Sequence, residues 1–199
     1  MGFQMISILI LAEFYSCYFA KMISQHQRGI RTDQMGRGKE GVVKQIEITL
    51  KIATCLVLVV EVINIVRNIY IFSMPVRLVG AVAGIAGAAV FICSVLTMKD
   101  SWRAGVARQE KTELVTSGIY QISRNPAFLG FDLVYIGILL MYFNWALFFV
   151  SSFAMIMLHL QIVNAEEEFL MEAFGEEYIR YRKKVCRYLG RKRAWHEKN

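Results

Sequence analysis

Long apolar runs alternate with polar, mostly basic segments along this chain. A helix needs about 20 mostly apolar residues to cross the roughly 30 Å hydrocarbon core of a bilayer, so the pattern predicts membrane spans. We place five of them near residues 3–22, 48–66, 77–97, 127–143 and 145–163. The sequence therefore predicts an all-α integral membrane protein with five transmembrane helices.

The last two apolar runs are separated only by the turn at 144–145, so they should form a tight antiparallel hairpin. Arg124 and Asn125 stand at the entrance of this hairpin, and Glu166 and Glu167 stand at its exit. Because both open ends of a hairpin face the same side of the membrane, a guanidinium should meet two carboxylates there. From spacing alone, this contact is equally well explained as an ordinary salt bridge at the membrane boundary.

Basic residues are concentrated in three of the segments that connect or follow the apolar runs. Residues 21–44 contain six Lys and Arg, residues 98–125 five and residues 180–198 nine, whereas 67–77 contain two. Since Lys and Arg favour the cytoplasmic side, we expect these three segments in the cytoplasm and the N-terminus outside. Attraction to anionic membrane lipids explains the basic face more simply than nucleic-acid binding, so no nucleic-acid partner is expected.

Composition excludes a soluble domain. The 199 residues are 56% hydrophobic and 20% charged, with a net charge of +7, whereas soluble chains are about 45–50% apolar. The four cysteines form no Cys-x-x-Cys pair and the three histidines are scattered. We therefore expect neither a disulfide framework nor a metal site.

The apolar runs contain two further features, namely regularly spaced small residues and a few ionisable residues. The third run has small residues four positions apart, such as Gly80 and Gly84, which predicts close approach of a neighbouring helix. Glu13, Glu61 and Asp132 are ionisable residues within apolar runs. Such residues are candidates for function because burying a charge at membrane depth is costly, although protonation or local pairing is the simpler explanation.

After the last span, the tail is predicted to form an amphipathic helix against the cytoplasmic membrane face. Glu166 and Leu170 follow helical spacing, and Gly175 is expected to end this helix. The chain then divides into three regions, namely a three-span membrane region at 1–97, a region with the loop, hairpin and tail helix at 98–189, and a basic tail at 190–199.

Three motifs follow one another in the second half of the chain. They are Leu-Val-Thr-Ser-Gly-Ile-Tyr at 114–120, Arg-Asn-Pro-Ala-Phe-Leu-Gly at 124–130, and Glu166-Glu167 followed by Leu170, Phe174-Gly175, Tyr178 and Tyr181. In this order and spacing they resemble the signature of the isoprenylcysteine carboxyl methyltransferase and phospholipid methyltransferase superfamily of integral membrane enzymes. The resemblance covers roughly 98–189, about half of the chain.

The resemblance implies S-adenosylmethionine bound at the cytoplasmic boundary and a lipidic acceptor that reaches the methyl group from the bilayer. It implies catalytic roles for Arg124 and Glu167, and no metal. The implied cofactor-binding residues are Leu114, Val115, Gly118, Tyr120, Asn125, Pro126, Phe128, Glu166 and Glu167. Either glutamate could accept a hydrogen bond from the cofactor's ammonium group. A prokaryotic plasma membrane is the expected location.

The acceptor is less well specified than the cofactor. Asn125 stands where the family has His, and Gln161 and Ile162 stand where it commonly has Arg. Methyl esterification of a prenylcysteine-like carboxylate is the leading interpretation, because an arginine near the acceptor complements a carboxylate. Phospholipid amine N-methylation and a non-catalytic relative remain open. A sterol-reductase-like enzyme is disfavoured, since the chain has no Gly-x-Gly-x-x-Gly turn.

Overall fold

The computed structural model describes residues 2–106 and 113–192, which are mostly helical and form no β-strand. The α-helices of the described residues are α1 (Gly2–Gln27), α2 (Gly41–Arg67), α3 (Met74–Met98), α4 (Pro126–Met141), α5 (Trp145–Gln161) and α6 (Glu167–Lys184). Two 3₁₀ turns, Lys99–Ser101 and Gly118–Gln121, lie between α3 and α4, and a π-helical turn, Ile162–Glu166, joins α5 to α6. The predicted all-α class is confirmed. Residues 107–112 of the predicted loop region and 193–199 of the predicted basic tail lie outside the described residues.

Three helical segments of the described residues are long and apolar enough to cross a membrane. They are Gly2–Gln27, Met74–Ser101 and Trp145–Lys184. The last of these combines α5, the π-helical turn and α6, and its apolar part ends near residue 163. Helix α4 is apolar but, with 16 residues, is shorter than these three segments. Helix α2 is not one of the three. The described part of the chain therefore carries three candidate membrane-spanning helices, while five crossings remain a prediction.

Helices α3 and α4 pack through glycine faces. A Cβ atom added to Gly137 of α4 would lie 2.5 Å from the backbone nitrogen of Gly84 and 2.7 Å from the carbonyl oxygen of Gly80. One added to Gly130 would lie 3.0 Å from the carbonyl oxygen of Gly87. The predicted close approach along the third apolar run is thus confirmed, and the partner is α4.

Gly137→Ala should destabilise the protein, because the added methyl group would force α3 and α4 apart. We expect a loss of about 1–3 kcal/mol of unfolding free energy, the usual cost of overpacking a close contact. Thermal unfolding in detergent micelles measures this change. Ile136→Val, on the exposed side of the same helix, is the control, and an equal unfolding midpoint for both variants would contradict the packing.

The predicted hairpin turn is confirmed at the end of α4. The side chain of Asn144 accepts a hydrogen bond from the backbone N–H of Leu147 at 3.0 Å and so caps α5.

The predicted end of the tail helix at Gly175 is only partly correct. Gly175 has a left-handed backbone (φ 46°) and breaks α6, but a second helical segment continues to Lys184.

The ionisable residues within the apolar runs have different surroundings. Glu13 is exposed on α1, whereas Glu61 is fully buried on α2. Among the described residues, neither carboxyl oxygen of Glu61 nor Oδ1 of Asp132 has a hydrogen-bond partner. Functional roles for these three residues remain predictions.

Candidate active site

The chain after α6 folds back over the entrance to α4. We call residues 185–192 the C-terminal strap. The backbone N–H of Arg124 donates to the carbonyl of Cys186 at 3.1 Å, and the backbone N–H of Asn125 donates to that of Arg187 at 3.2 Å. Asn125 does occupy the N-cap position of α4, but its side chain does not cap the helix and instead donates to the Arg187 carbonyl at 3.1 Å. The strap therefore fixes the backbone on which Arg124 stands.

A buried ion pair joins the entrance and the exit of the α4–α5 hairpin. Arg124 Nη2 lies 3.0 Å from Glu167 Oε1, and the two side chains are only 5% and 6% exposed. Arg187 of the strap binds the same carboxylate through Nε at 2.8 Å and Nη2 at 2.9 Å. Arg124 Nη1 also donates to the hydroxyl of Tyr178 at 2.7 Å. The predicted meeting of Arg124 with a glutamate at the hairpin exit is confirmed for Glu167.

The charge of Glu167 is set by its two arginine partners. Burial alone raises the pKa of this carboxyl, but the hydrogen bonds from Arg187 and the positive charge of Arg124 outweigh burial. The pKa of Glu167 is therefore below its usual range, and the group is ionised at neutral pH. It acts as a fixed anionic bridge between the hairpin entrance and the strap.

Two tyrosines of α6 tie this helix to the loop before α4. The hydroxyl of Tyr181 donates to the carbonyl of Tyr120 at 2.6 Å, and burial raises the pKa of both Tyr178 and Tyr181. These phenols therefore remain protonated and available for hydrogen bonding. Gly118 is the first residue of the 3₁₀ turn that contains Tyr120. It has φ +58°, a backbone conformation that glycine adopts readily.

Next to the ion pair lies a small cavity, here called the inner cavity, of about 110 Å³. Its lining residues are Met98, Trp102, Arg103, Glu113, Leu114, Val115, Tyr120, Arg124, Asn125, Ala127, Phe128, Glu166, Leu170 and Tyr181. Of the predicted site residues, Gly118, Pro126 and Glu167 do not line it. Nε of Arg124 is buried and has no hydrogen-bond partner among the described residues, so a buried donor is available beside the cavity.

A wider cleft of about 990 Å³, the outer cleft, adjoins the inner cavity. The two spaces share Met98, Arg103, Glu113, Leu114 and Val115. The motif at 114–120 thus borders both spaces, and a ligand larger than the inner cavity could extend into the outer cleft.

The two neighbouring glutamates have different environments. Glu166 is half-buried and lines the inner cavity, whereas Glu167 is held in the ion pair. Burial raises the pKa of Glu166 to about 7, and the nearby amide of Gln161, 3.5 Å away, acts in the opposite direction. Glu166 is therefore the member of the pair that is free to contact a ligand in the cavity and to change charge near neutral pH.

A second buried ion pair, between Lys39 and Glu47, lies behind Glu166, and its side chains are 3% and 0% exposed. Glu47 also accepts from the backbone N–H of Gly36 at 2.6 Å and from Nε2 of Gln161 at 3.0 Å. This cluster joins the loop before α2 to α2 and α5. The sequence does not predict the Lys39–Glu47 pair, because Lys39 is one of six basic residues in the 21–44 segment.

An apolar cavity of about 380 Å³ lies between α1 and α2, beside the inner cavity. Its lining residues are Tyr15, Tyr18, Phe19, Met22, Asp33, Met35, Leu50, Lys51, Thr54, Cys55, Leu58, Phe91, Trp102, Arg103, Ala104, Ala127, Phe128, Phe131 and Leu158. Trp102, Arg103, Ala127 and Phe128 line both cavities. These four residues form a shared wall between the inner cavity, which Arg124 and Glu166 also line, and the apolar cavity.

The chain is similar to several known proteins. Residues 76–177 match the family described as Phospholipid methyltransferase. The chain is 35% identical over 72 residues to Protein-S-isoprenylcysteine O-methyltransferase of Schizosaccharomyces pombe, covering 36% of this chain and 30% of that protein. It is 30% identical over 80 residues to Protein-S-isoprenylcysteine O-methyltransferase B of Arabidopsis thaliana, covering 40% of this chain and 41% of that protein. It is 36% identical over 72 residues to Protein-S-isoprenylcysteine O-methyltransferase of Saccharomyces cerevisiae, covering 36% of this chain and 30% of that protein.

The aligned segments span well under half of these relatives, whereas the family match covers about half of this chain. That match includes α3, the hairpin and the first part of α6, and therefore the Arg124–Glu167 pair. On this evidence the chain belongs to the phospholipid methyltransferase family.

Proposed function

We propose that this chain is an S-adenosylmethionine-dependent membrane methyltransferase that esterifies the carboxylate of a prenylcysteine-like lipid. The observation that carries the proposal is the shared wall, with a cavity that contains charged side chains beside Arg124 on one side and an apolar cavity between α1 and α2 on the other. A polar methyl donor and an apolar acceptor could approach each other across this wall. The similar proteins are named Protein-S-isoprenylcysteine O-methyltransferase, which supports the same acceptor class.

The residues around the inner cavity suit the proposed cofactor. Backbone groups of Leu114 and Val115 could hold the nucleoside, and Tyr120 and Phe128 could flank its rings. Glu166 is assigned the ammonium group, since its carboxyl lines the cavity. The cofactor's carboxylate is assigned to Arg124, whose Nε lacks a partner among the described residues. The inner cavity alone is too small for the whole molecule, so part of the ligand would lie in the outer cleft.

The remaining predicted site residues are assigned positioning roles. Glu167 would act through Arg124, which it holds by an ion pair. Asn125 and Pro126 would fix the start of α4, the former through the strap and the latter as the first helical residue. Gly118 would shape the turn that presents Tyr120.

Bound S-adenosylmethionine would supply a methyl group already activated on a positively charged sulfur. Attack by a carboxylate oxygen forms the methyl ester, breaks the carbon–sulfur bond and leaves a neutral thioether. The chain's own task is then to align the reactants and to exclude water, which can lower the activation barrier by about 7–11 kcal/mol. Trp102 and Phe128 of the shared wall would exclude water at the point of transfer. An ionised carboxylate acceptor needs no general base, whereas an amine would need one.

The proposed topology has five crossings, with the active site at the cytoplasmic face of a prokaryotic plasma membrane. The distribution of Lys and Arg supports this orientation. It puts the Arg124–Glu167 pair, the strap and the 28–40 loop on one side of the bilayer. Lipids of the membrane would then surround the mouth of the apolar cavity, and the acceptor could enter from them.

Methyl transfer to lipid is the direct test of this function. Purified protein in mixed micelles should incorporate labelled methyl from S-adenosylmethionine into a prenylcysteine analogue, and mild base should release the label as methanol because it is held as an ester. Label that resists base and accumulates in an aminophospholipid would favour N-methylation instead. Absence of label from every lipid, together with absence of cofactor binding, would favour a non-catalytic relative.

Cofactor affinity should depend on pH through Glu166. Its pKa of about 7 means that lowering the pH from 7.5 to 6 removes the negative charge proposed to hold the ammonium group. We expect binding to weaken about eightfold over this interval, in proportion to the ionised fraction. Calorimetry at several pH values measures the effect. Glu166→Gln should weaken binding and flatten the profile, whereas the exposed control Glu172→Gln should not; a Glu166→Gln profile that keeps the wild-type slope would contradict the assignment.

A further inference from the structure

The apolar cavity has a charged rim. Among the described residues that line it, Asp33, Lys51 and Arg103 are the charged ones. The rim therefore presents two cationic side chains and one carboxylate. The rest of the lining is almost entirely aliphatic or aromatic, so the cavity as a whole is shaped for an amphiphile with one polar end.

Lys51 and Asp33 form an ion pair that is partly open to solvent. Their side chains are 54% and 31% exposed, and exposed pairs of this kind stabilise a protein by only about 0–1 kcal/mol. Lys51 can therefore leave Asp33 at little cost. The other lysine of this region, Lys39, is fully buried with Glu47 and has no such freedom.

Asp33 is held more firmly than its partner. Its Oδ1 accepts a hydrogen bond from the backbone N–H of Met35 at 3.2 Å, and its backbone forms a β-bridge with Ala104. Lys51 instead projects from α2 on a flexible four-carbon side chain. The rim thus combines an anchored acid with a mobile cation beside an apolar cavity.

Arg103 connects this rim to the methyl-transfer site. It lines both the apolar cavity and the inner cavity. An anionic group held between Lys51 and Arg103 would lie beside the shared wall, with its apolar chain extending between α1 and α2. A cationic group would have to displace Lys51 from Asp33 and would still face Arg103 at the same place.

We infer that Lys51 is the specificity-determining residue for the acceptor, and that it leaves Asp33 to bind the acceptor's carboxylate beside Arg103. This inference rests on the proposed function, which it makes more specific. Asp33 holds Lys51 in the empty site and competes with the acceptor for it. The site consequently selects an anionic amphiphile over its neutral or cationic counterparts.

The test compares Lys51→Met with Lys44→Met, an exposed lysine of the same helix that does not line the cavity. For a prenylthioether carboxylate acceptor, Lys51→Met should raise KM about tenfold or more, as expected for loss of a charge-assisted hydrogen bond. The Kd for S-adenosylmethionine should remain unchanged, and Lys51→Arg should restore most of the affinity. Asp33→Asn should lower KM, since it removes the competing carboxylate.

Direct binding separates failure of this inference from failure of the proposed function. Calorimetry with the prenylthioether carboxylate and with its carboxamide needs no turnover. The wild type should prefer the acid, and Lys51→Met should lose that preference while keeping the unfolding midpoint of Lys44→Met. Equal binding of acid and amide by the wild type, or an acid preference that survives Lys51→Met, would overturn the role of Lys51 even if methyl transfer occurs. Preferred binding of the acid without any methyl transfer would support Lys51 and reject the enzymatic activity.

Discussion

Replacing Arg124 with methionine is expected to lower S-adenosylmethionine affinity about a hundredfold, equivalent to about 3 kcal/mol. The substitution removes the guanidinium that pairs with Glu167 and bonds to Tyr178. It also removes the buried Nε donor beside the inner cavity. Breaking a buried ion pair typically costs about 3–5 kcal/mol of stability, so the unfolding midpoint should fall as well. Calorimetry with the cofactor and thermal unfolding in detergent measure the two effects.

Two further variants separate binding from folding. Arg180→Met removes an exposed arginine of α6 and should change neither property. Arg124→Lys keeps the charge but cannot bond to Glu167 and Tyr178 in the same planar geometry, so it should bind the cofactor with intermediate affinity. Cofactor binding by Arg124→Met at the wild-type level would contradict the assignment of Arg124 to the cofactor site.

Glu47→Leu is expected to have the largest effect on stability. It leaves Lys39 buried without its carboxylate and removes the acceptor of the Gly36 N–H and of the Gln161 amide. An uncompensated buried charge costs about 3–5 kcal/mol, and each buried donor left unsatisfied adds about 1–3 kcal/mol. We therefore expect a large fall in the unfolding midpoint and in the yield of folded protein.

The pair Lys39→Met and Glu47→Leu tests this explanation as a double-mutant cycle. Because the double variant no longer buries an unpaired charge, it should be more stable than Glu47→Leu alone. Its loss of stability should fall short of the sum of the two single losses by about 1–3 kcal/mol, the coupling energy of the cycle. Strictly additive losses in the cycle would show that the two side chains do not depend on each other. Unfolding in detergent, with far-ultraviolet circular dichroism as the readout, gives all four stabilities.

The parts of the site that sequence predicted are those fixed by helix geometry. The short turn at Asn144 requires an antiparallel hairpin, and a hairpin necessarily brings its entrance and its exit together. Arg124 and Glu167 therefore meet although 42 intervening residues separate them along the chain. The small residues of α3 likewise predicted a closely packed neighbour, which is α4.

The parts that sequence missed depend on loops and on the strap. Nothing in the spacing distinguishes Arg187 from the other basic residues of the tail, yet it is the residue that binds both oxygens of Glu167. From the sequence, Glu166 and Glu167 are equivalent acceptors, but in the structure two arginines bind Glu167 while Glu166 lies near the amide of Gln161. Asn is a residue type that commonly caps helices, but the side-chain amide of Asn125 donates to the carbonyl of Arg187 in the strap instead. Tertiary contacts of this kind leave no periodic signal in the sequence.

The most direct measurement is an experimental structure determined with S-adenosylhomocysteine and a non-reactive prenylthioether carboxylate. Density for the nucleoside is expected between Leu114, Tyr120 and Phe128. The amino group of the cofactor's amino-acid part should lie at Glu166, and its carboxylate at Arg124. The prenyl chain should lie between α1 and α2, with its carboxylate on the other side of Phe128 within reach of Lys51. Ligands bound elsewhere, or side chains that fill both cavities and separate them, would contradict methyl transfer at this wall.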